Sequence, residues 1–300
     1  MQSASCCDPS CPTCPRGPVR LPPGWDCLIT RGVLSRGKQL MPEMVGVDQI
    51  GQVMTRADAE ASWPWLSIQW VDQPPAEGHY VSWQTDGLHL KSASFDPRSS
   101  VHVDFIAGAQ ARRLRAVTGE ALTRAIGCQR GLRPSVFDAT AGLGSDATVL
   151  ANVGCAVYAV ERQAQTAALF ADGLRRAVEA GLQWTHHLQL CYADACDAMS
   201  RVTHGVIYLD PMFPKERKAA PQLAMQVLHE LDASADAIDL LFQHALDSGA
   251  ARVVVKRPLK APYLGNVPPA SEIRAKTVRF DLYPRRKLTD SECAPWEQFA

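Results

Sequence analysis

The stretch that decides the fold is Val136-Phe137-Asp138-Ala139-Thr140-Ala141-Gly142-Leu143-Gly144-Ser145-Asp146-Ala147. Its opening apolar pair reads as a short strand ending at Asp138. A Gly-rich turn follows and opens into a helix running to Leu150. Glycines in such a turn let the backbone approach a ligand, and the helix start offers unpaired N–H groups. Residues 142–147 fit G-x-G-x-x-A, a dinucleotide-binding pattern that is a weak signal alone. The surrounding sequence gives it weight.

Downstream, short apolar strands alternate with helical stretches. Residues 156–160 form a strand that ends at Glu161, and residues 163–180 form a helix closed by Gly181. Strands at 188–191 and 205–209 follow, the latter ending at Asp210. Helical patterns cover 222–231 and 235–246, and further strands cover 252–256 and part of 276–283. This alternation means βαβ units and a parallel sheet, so the expected fold is a doubly wound, Rossmann-like α/β domain. Upstream, residues 110–126 carry apolar residues at helical spacing, interspersed with Arg112, Arg113, Arg115 and Arg124.

Residues 27–107 read differently. Leu66, Ile68 and Trp70 alternate with polar neighbours, and Asp86-Gly87 separates the run around Tyr80, Val81 and Trp83 from Leu88-His89-Leu90. That is a hairpin signal, and it predicts a small antiparallel β-rich domain. Residues 1–26 are rich in Pro and Cys and are expected to form a disordered tail. The division is therefore a tail (1–26), a β-rich domain (27–107), a catalytic domain (108–288) and a C-terminal tail (289–300).

Thirty-one basic and thirty-one acidic residues balance, so no global field draws the 300-residue chain to a polyanion, and nucleic-acid contact needs a local basic patch. No apolar run is long enough for a bilayer span, and the N-terminus lacks a basic and apolar leader. A cytoplasmic protein with no membrane association is expected. Cys7, Cys11 and Cys14 have the spacing C-x3-C-x2-C, with Cys6 and Cys27 nearby. In a Pro-rich tail free thiols outweigh a zinc site, so no metal is expected.

Three acidic strand ends carry the chemistry. Glu161, about twenty residues after the glycines, suits a ribose diol and serves NAD and S-adenosylmethionine equally. Asp194, in Tyr192-Ala193-Asp194-Ala195, either accepts from an adenine amino group or caps a helix. The third, Asp210, begins the deciding motif, Asp210-Pro211-Met212-Phe213-Pro214, directly after Val206-Ile207-Tyr208-Leu209. Two prolines fix the loop. It presents a carboxylate, the Pro211 carbonyl and the Phe213 ring together. An amine on a heteroaromatic ring is a poor nucleophile because its lone pair is delocalised. Asp210 and the Pro211 carbonyl can accept its hydrogens, and Phe213 can stack on the base. An acid at this position favours guanine, whose N1–H offers a further donor. DNA adenine or protein amide methylation is the first alternative, though those enzymes carry Asn-Pro-Pro-Tyr/Phe. A NAD-dependent oxidoreductase is the alternative of another class, and it leaves the Asp210 motif unexplained.

Taken together, Val103-Asp104-Phe105, residues 138–144, 150–155, Glu161-Arg162, 208–214, 252–258 and 279–283 resemble the small-subunit (16S) ribosomal RNA guanine-N2 methyltransferase J family over about two-thirds of the chain. The resemblance implies a class I methyltransferase fold, S-adenosylmethionine as methyl donor, and small-subunit ribosomal RNA, free or in a 30S particle, as partner. It places donor contacts at Ser145-Asp146, Glu161-Arg162, Asp194-Ala195 and Asp210, beside the turn from Asp138 through Gly142 and Gly144. The family usually has Arg where Ser145 stands and a hydroxyl pair where Asp194-Ala195 stands. Basic residues cluster after the catalytic loop (Lys215, Arg217, Lys218) and after the next strand (Lys256, Arg257, Lys260), where RNA phosphates are expected. A third group, Arg285, Arg286 and Lys287, ends the fold.

Overall fold

The structure, a computed structural model, describes residues 43–47, 67–71, 73–94, 96, 99–116, 120–129, 131–200, 205–211 and 235–293. Met212, Phe213, Lys215, Arg217 and Lys218 lie outside them, as do the expected helix at 222–231 and the tail at 1–26.

Seven strands form the main sheet: β6 (Val136–Asp138), β7 (Val157–Glu161), β8 (Leu188–Tyr192), β9 (Val206–Leu209), β10 (Arg252–Pro258), β11 (Ser271–Arg274) and β12 (Val278–Pro284). Their order is β11-β12-β10-β9-β6-β7-β8. β8, β7, β6, β9 and β10 are parallel, whereas β12 runs antiparallel to β10 and to β11. From β6 the chain winds one way to β7 and β8, then returns to the other side at β9. That reversal is the switch point of a doubly wound sheet, the place where ligands bind in open α/β folds.

Side-chain alternation explains why both faces are covered. Val136, Val157, Ala159, Val206, Tyr208 and Val254 point to one face. Phe137, Tyr158, Val160, Ile207, Leu209, Val253 and Val255 point to the other. Helices α2 (Ala121–Ile126), α3 (Ser145–Asn152) and α4 (Ala164–Glu179) cover the first face. Helices α5 (Ala195–Met199) and α6 (Ala235–Asp247) cover the second, with Phe242 fully buried. The helix expected over 110–126 is two helices. The first, α1 (Gly108–Arg115), closes at Ala116, and Glu120 with ψ 144 starts α2.

The small sheet has the order β2-β1-β3-β4-β5, built from β1 (Glu43–Val47), β2 (Ser67–Val71), β3 (His79–Gln84), β4 (Gly87–Ser92) and β5 (Val101–His102). The expected hairpin is β3–β4, with Gln84 paired to Gly87 across Thr85-Asp86. The all-antiparallel expectation needs correction, because β1 pairs in parallel with both β2 and β3. Parallel neighbours are joined by long crossings, which leave no turn signature in the sequence.

Val81, Trp83, Leu88, Leu90, Val103 and Phe105 share one core with α4 and the first face of the main sheet. The approach is close: a Cβ on Gly173 would lie 2.5 Å from Val103, and one on Gly87 would lie 2.6 Å from the Asp172 carboxylate. Asp172 itself accepts from the Leu88 N–H at 3.0 Å and pairs with Arg175 and Arg176. Gly144 is the tightest point. Its φ is +81, and a Cβ there would lie 2.3 Å from the buried Phe170 ring. Gly144→Ala is therefore expected to destabilise the fold by roughly 3 kcal/mol, combining left-handed strain with overpacking. Denaturant unfolding checks this, and a loss below about 1 kcal/mol would refute it. Among the described residues no helix is long and apolar enough to cross a membrane.

Candidate active site

Parallel strands deliver Asp138, Glu161, Tyr192, Asp210 and Lys256 to one edge of the sheet. The turn after β6 is tied to both neighbours. Ala139 N–H donates to the Tyr208 carbonyl (3.0 Å), Ala141 N–H to the Val160 carbonyl (3.1 Å), and Thr140 N–H to Asp138 Oδ1 (3.1 Å). The Thr140 hydroxyl oxygen in turn accepts from Asp210 N–H at 2.6 Å, fixing where the Asp210 loop leaves β9. Pro211 follows, buried.

Glu161 holds the glycine turn. Its Oε2 accepts from Gly142 N–H (2.9 Å) and its Oε1 from Gln163 N–H (2.7 Å). Burial raises its carboxyl above the usual range, against these hydrogen bonds. Gly142 has φ +55, and a Cβ there would meet nothing nearer than the Thr140 carbonyl at 3.9 Å, so this side of the turn is open. Asp194 is the N-cap of α5, accepting from Cys196 N–H at 2.8 Å, and remains exposed. Arg162 is also exposed, while Ala195 is buried beneath the cap.

A chain of charges runs behind Asp210. Lys256 Nζ lies 2.7 Å from Asp210 Oδ2 and 2.8 Å from Asp146 Oδ2. The buried Tyr208 hydroxyl donates to the same Asp146 oxygen at 2.5 Å. Arg113 of α1 pairs with Asp146 Oδ1 at 2.8 Å and holds Glu120 in a two-pronged contact (3.1 and 3.0 Å). Burial alone would raise Asp146, but Lys256 and Arg113 outweigh it and hold the carboxyl at about 2. Asp210 is pushed up to about 6, mainly by desolvation and also by Asp146, despite the Lys256 ammonium. Its side chain is 37% exposed. Asp138 is 1% exposed and burial drives its carboxyl well up; it braces the turn from beneath.

Two expected phosphate contacts are corrected by this geometry. Lys256 faces inward between two carboxylates, because three aspartates converge at the switch point and need a cation. Arg257 is 4% exposed, with Nε and Nη2 on the Pro262 carbonyl (3.1 and 2.7 Å). Ser145 is exposed; its carbonyl accepts from Gln110 (2.8 Å) and Arg113 (3.1 Å). Sequence reading missed Arg113, Thr140 and Tyr208; only the convergence of acidic strand ends hinted at the need for a cation.

The reversed strand order with antiparallel β12 inserted between β10 and β11 is that of a class I S-adenosylmethionine-dependent methyltransferase, and the open glycine turn and acidic strand ends agree with it. A family model for SAM-dependent methyltransferases matches residues 67–285. A SAM-dependent methyltransferase structure from Neisseria gonorrhoeae superposes with TM-score 0.64 at 30% identity, over 83% of this chain and 98% of that one. Sequence relatives named ribosomal RNA small subunit methyltransferase J include those of Pectobacterium atrosepticum (41% identical, 66% of this chain, 84% of the relative) and Psychromonas ingrahamii (39%, 66% and 81%). That of Pseudomonas savastanoi pv. phaseolicola is 36% identical over 79% of this chain and 91% of its own length. The chain belongs to the ribosomal RNA small subunit methyltransferase J family, and the oxidoreductase alternative falls.

Proposed function

We propose that this enzyme methylates the exocyclic N2 amine of a guanine in small-subunit ribosomal RNA, free or within the 30S particle, in the cytoplasm. The observation that carries the reading is Asp210, held by Lys256 on one oxygen and partly exposed, directly ahead of the Pro211 carbonyl. The other oxygen can accept from guanine N1–H or N2–H, and the Pro211 carbonyl from the second N2 hydrogen. Together they favour a pyramidal nitrogen whose lone pair is free to attack. S-adenosylmethionine supplies an activated sulfonium methyl. The amine nitrogen that accepts this methyl would become positive beside the Asp210 carboxylate. That carboxylate stabilises the charge and takes the surplus proton. Phe213 would fix the base plane by stacking, and Lys215, Arg217 and Lys218 would meet phosphates.

The residues around the glycine turn fit the donor. Gly142 leaves room for close approach, Glu161 retains acceptor capacity for ribose hydroxyls, and exposed Asp194 can accept from an adenine amine. Gly144, Ser145, Asp146, Arg162 and Ala195 would surround it. Glu161→Ala is expected to weaken S-adenosylmethionine binding by about 1–3 kcal/mol, because ribose contacts go and Gly142 loses its tether. Calorimetry measures this; unchanged donor affinity in a folded variant would remove Glu161 from the donor site. The proposed reaction is tested by methyl transfer from labelled donor to small-subunit RNA and particles, with product nucleosides identified by mass spectrometry. N2-methylguanosine is expected, and label on adenine or on protein would overturn the reading.

A further inference from the structure

With Lys256 and Arg257 turned inward, the outward surface beside β10 is made by other residues. We propose that Tyr263 is a base-stacking subsite for single-stranded RNA flanking the target guanine, with Lys260, Arg274 and Lys276 meeting its phosphates. The inference rests on the RNA reading above and locates where the strand runs past the active site.

Tyr263 lies on the loop that leaves β10 at the same edge as Asp210. It is 37% exposed, and the neighbouring Leu259 is 38% exposed. An exposed aromatic ring normally reorients freely, but this one is fixed by two strands. Its hydroxyl donates to Glu272 Oε1 of β11 at 2.8 Å. On one face the Arg279 guanidinium of β12 sits 5.0 Å from the ring centroid. Arg279 cannot move away: it holds Asp281 at 2.7 and 3.1 Å and the Pro258 and Leu259 carbonyls at 3.1 and 2.8 Å. The result is a rigid ring backed by a cation, with its remaining exposure toward solvent. This is the arrangement on which a nucleobase stacks at little entropic cost, with a cation–π contribution from behind.

The charge around the ring suits a polyanion. Lys260 and Lys276 are exposed, and the Arg274 side chain is 72% exposed. Of the carboxylates near the patch, Glu272 is engaged by Tyr263 and Arg274 and Asp281 by Arg279, while exposed Asp239 accepts from Gly265 N–H at 3.1 Å. Strands lie about 4.8 Å apart, so β12 and β11 sit roughly 10–15 Å across the edge from the end of β9. A stacked strand advances about 3.4 Å per nucleotide, which puts the stacked base about three to four positions from the target guanine.

The test compares Tyr263→Ala, Tyr263→Phe and Tyr263→Trp in the full chain, with small-subunit RNA as substrate. Tyr263→Ala is expected to raise the RNA KM about 10-fold, within the range of a lost base stack. It should leave kcat and the S-adenosylmethionine dissociation constant within about 2-fold. Tyr263→Phe and Tyr263→Trp keep a ring but lose the Glu272 tether, so they should lose a few-fold at most, well short of Tyr263→Ala. Lys260→Glu with Arg274→Glu should lower the salt dependence of RNA binding. If the parent methylates the RNA while Tyr263→Ala leaves KM unchanged, the subsite is refuted and the RNA reading stands. Equal losses in the Phe and Ala variants would make the hydroxyl contact responsible and overturn stacking. A parent that neither binds nor methylates RNA would sink both.

Discussion

Asp210→Asn is expected to lower the single-turnover methylation rate by two or more orders of magnitude while leaving the protein folded. The structure dictates how the amide must sit. Lys256 Nζ, 2.7 Å from Asp210 Oδ2, is a donor and requires an acceptor. The Asn carbonyl therefore turns to Lys256, and its NH2 group faces the substrate. Guanine N1–H and N2–H are donors too, so the variant sets donor against donor where the parent has donor and acceptor. The clash grows as the amine nitrogen becomes positive, and the lost carboxylate can no longer take its proton. Removing one preorganised electrostatic contact typically lowers a rate by about 10²–10³. Donor affinity should fall much less. The measurement is single-turnover transfer to small-subunit RNA, with thermal unfolding as the folding control. A rate within a few-fold of the parent would exclude Asp210 from the mechanism.

The parts of this site that are legible in sequence are local ones. The strand–glycine–helix unit from Val136 to Leu150 declares itself because Gly142 and Gly144 adopt positive φ that other residues resist. Glu161 and Asp210 declare themselves because each ends an apolar strand. What stays hidden is long-range. In sequence Lys256 reads as a phosphate contact until Asp146, 110 residues away, appears beside it. Arg113 belongs to a different part of the chain and reaches Asp146 only because α1 packs beside α3. β1 and β2 pair in parallel, which no turn announces, and β11 reads Ser-Glu-Ile-Arg, too polar to show a strand pattern. Sequence thus places the carboxylates at the strand ends, while the cations that set their ionisation emerge only from the tertiary fold.

That ionisation yields the second large effect. The proposed reaction uses Asp210 as the anion, and its carboxyl is pushed up to about 6. The parent's kcat/KM should therefore fall as pH drops through about 6, since below that value the carboxylate is protonated. Lys256 is the cation that opposes this rise. Lys256→Met removes the charge at similar length and leaves Asp210 beside Asp146 with no ammonium between them. Loss of an adjacent opposite charge raises a carboxyl by roughly 1–3 units, so the acid limb should move upward by about that much. At pH 7 the variant should lose roughly 2- to 90-fold in kcat/KM, following that range of rise, with part of the loss recovered at pH 8–9 as Asp210 ionises. Breaking a buried pair costs up to about 3–5 kcal/mol, and protonation of a released carboxylate lowers that figure. Lys256→Arg keeps the charge, so its limb should stay near the parent's even if the altered geometry lowers the rate. A merely structural role for Lys256 predicts lower activity at every pH with the limb unmoved. The pH profiles of the three proteins, taken with their melting temperatures, separate the two, and an unshifted limb in the Met variant would show that Lys256 does not govern Asp210.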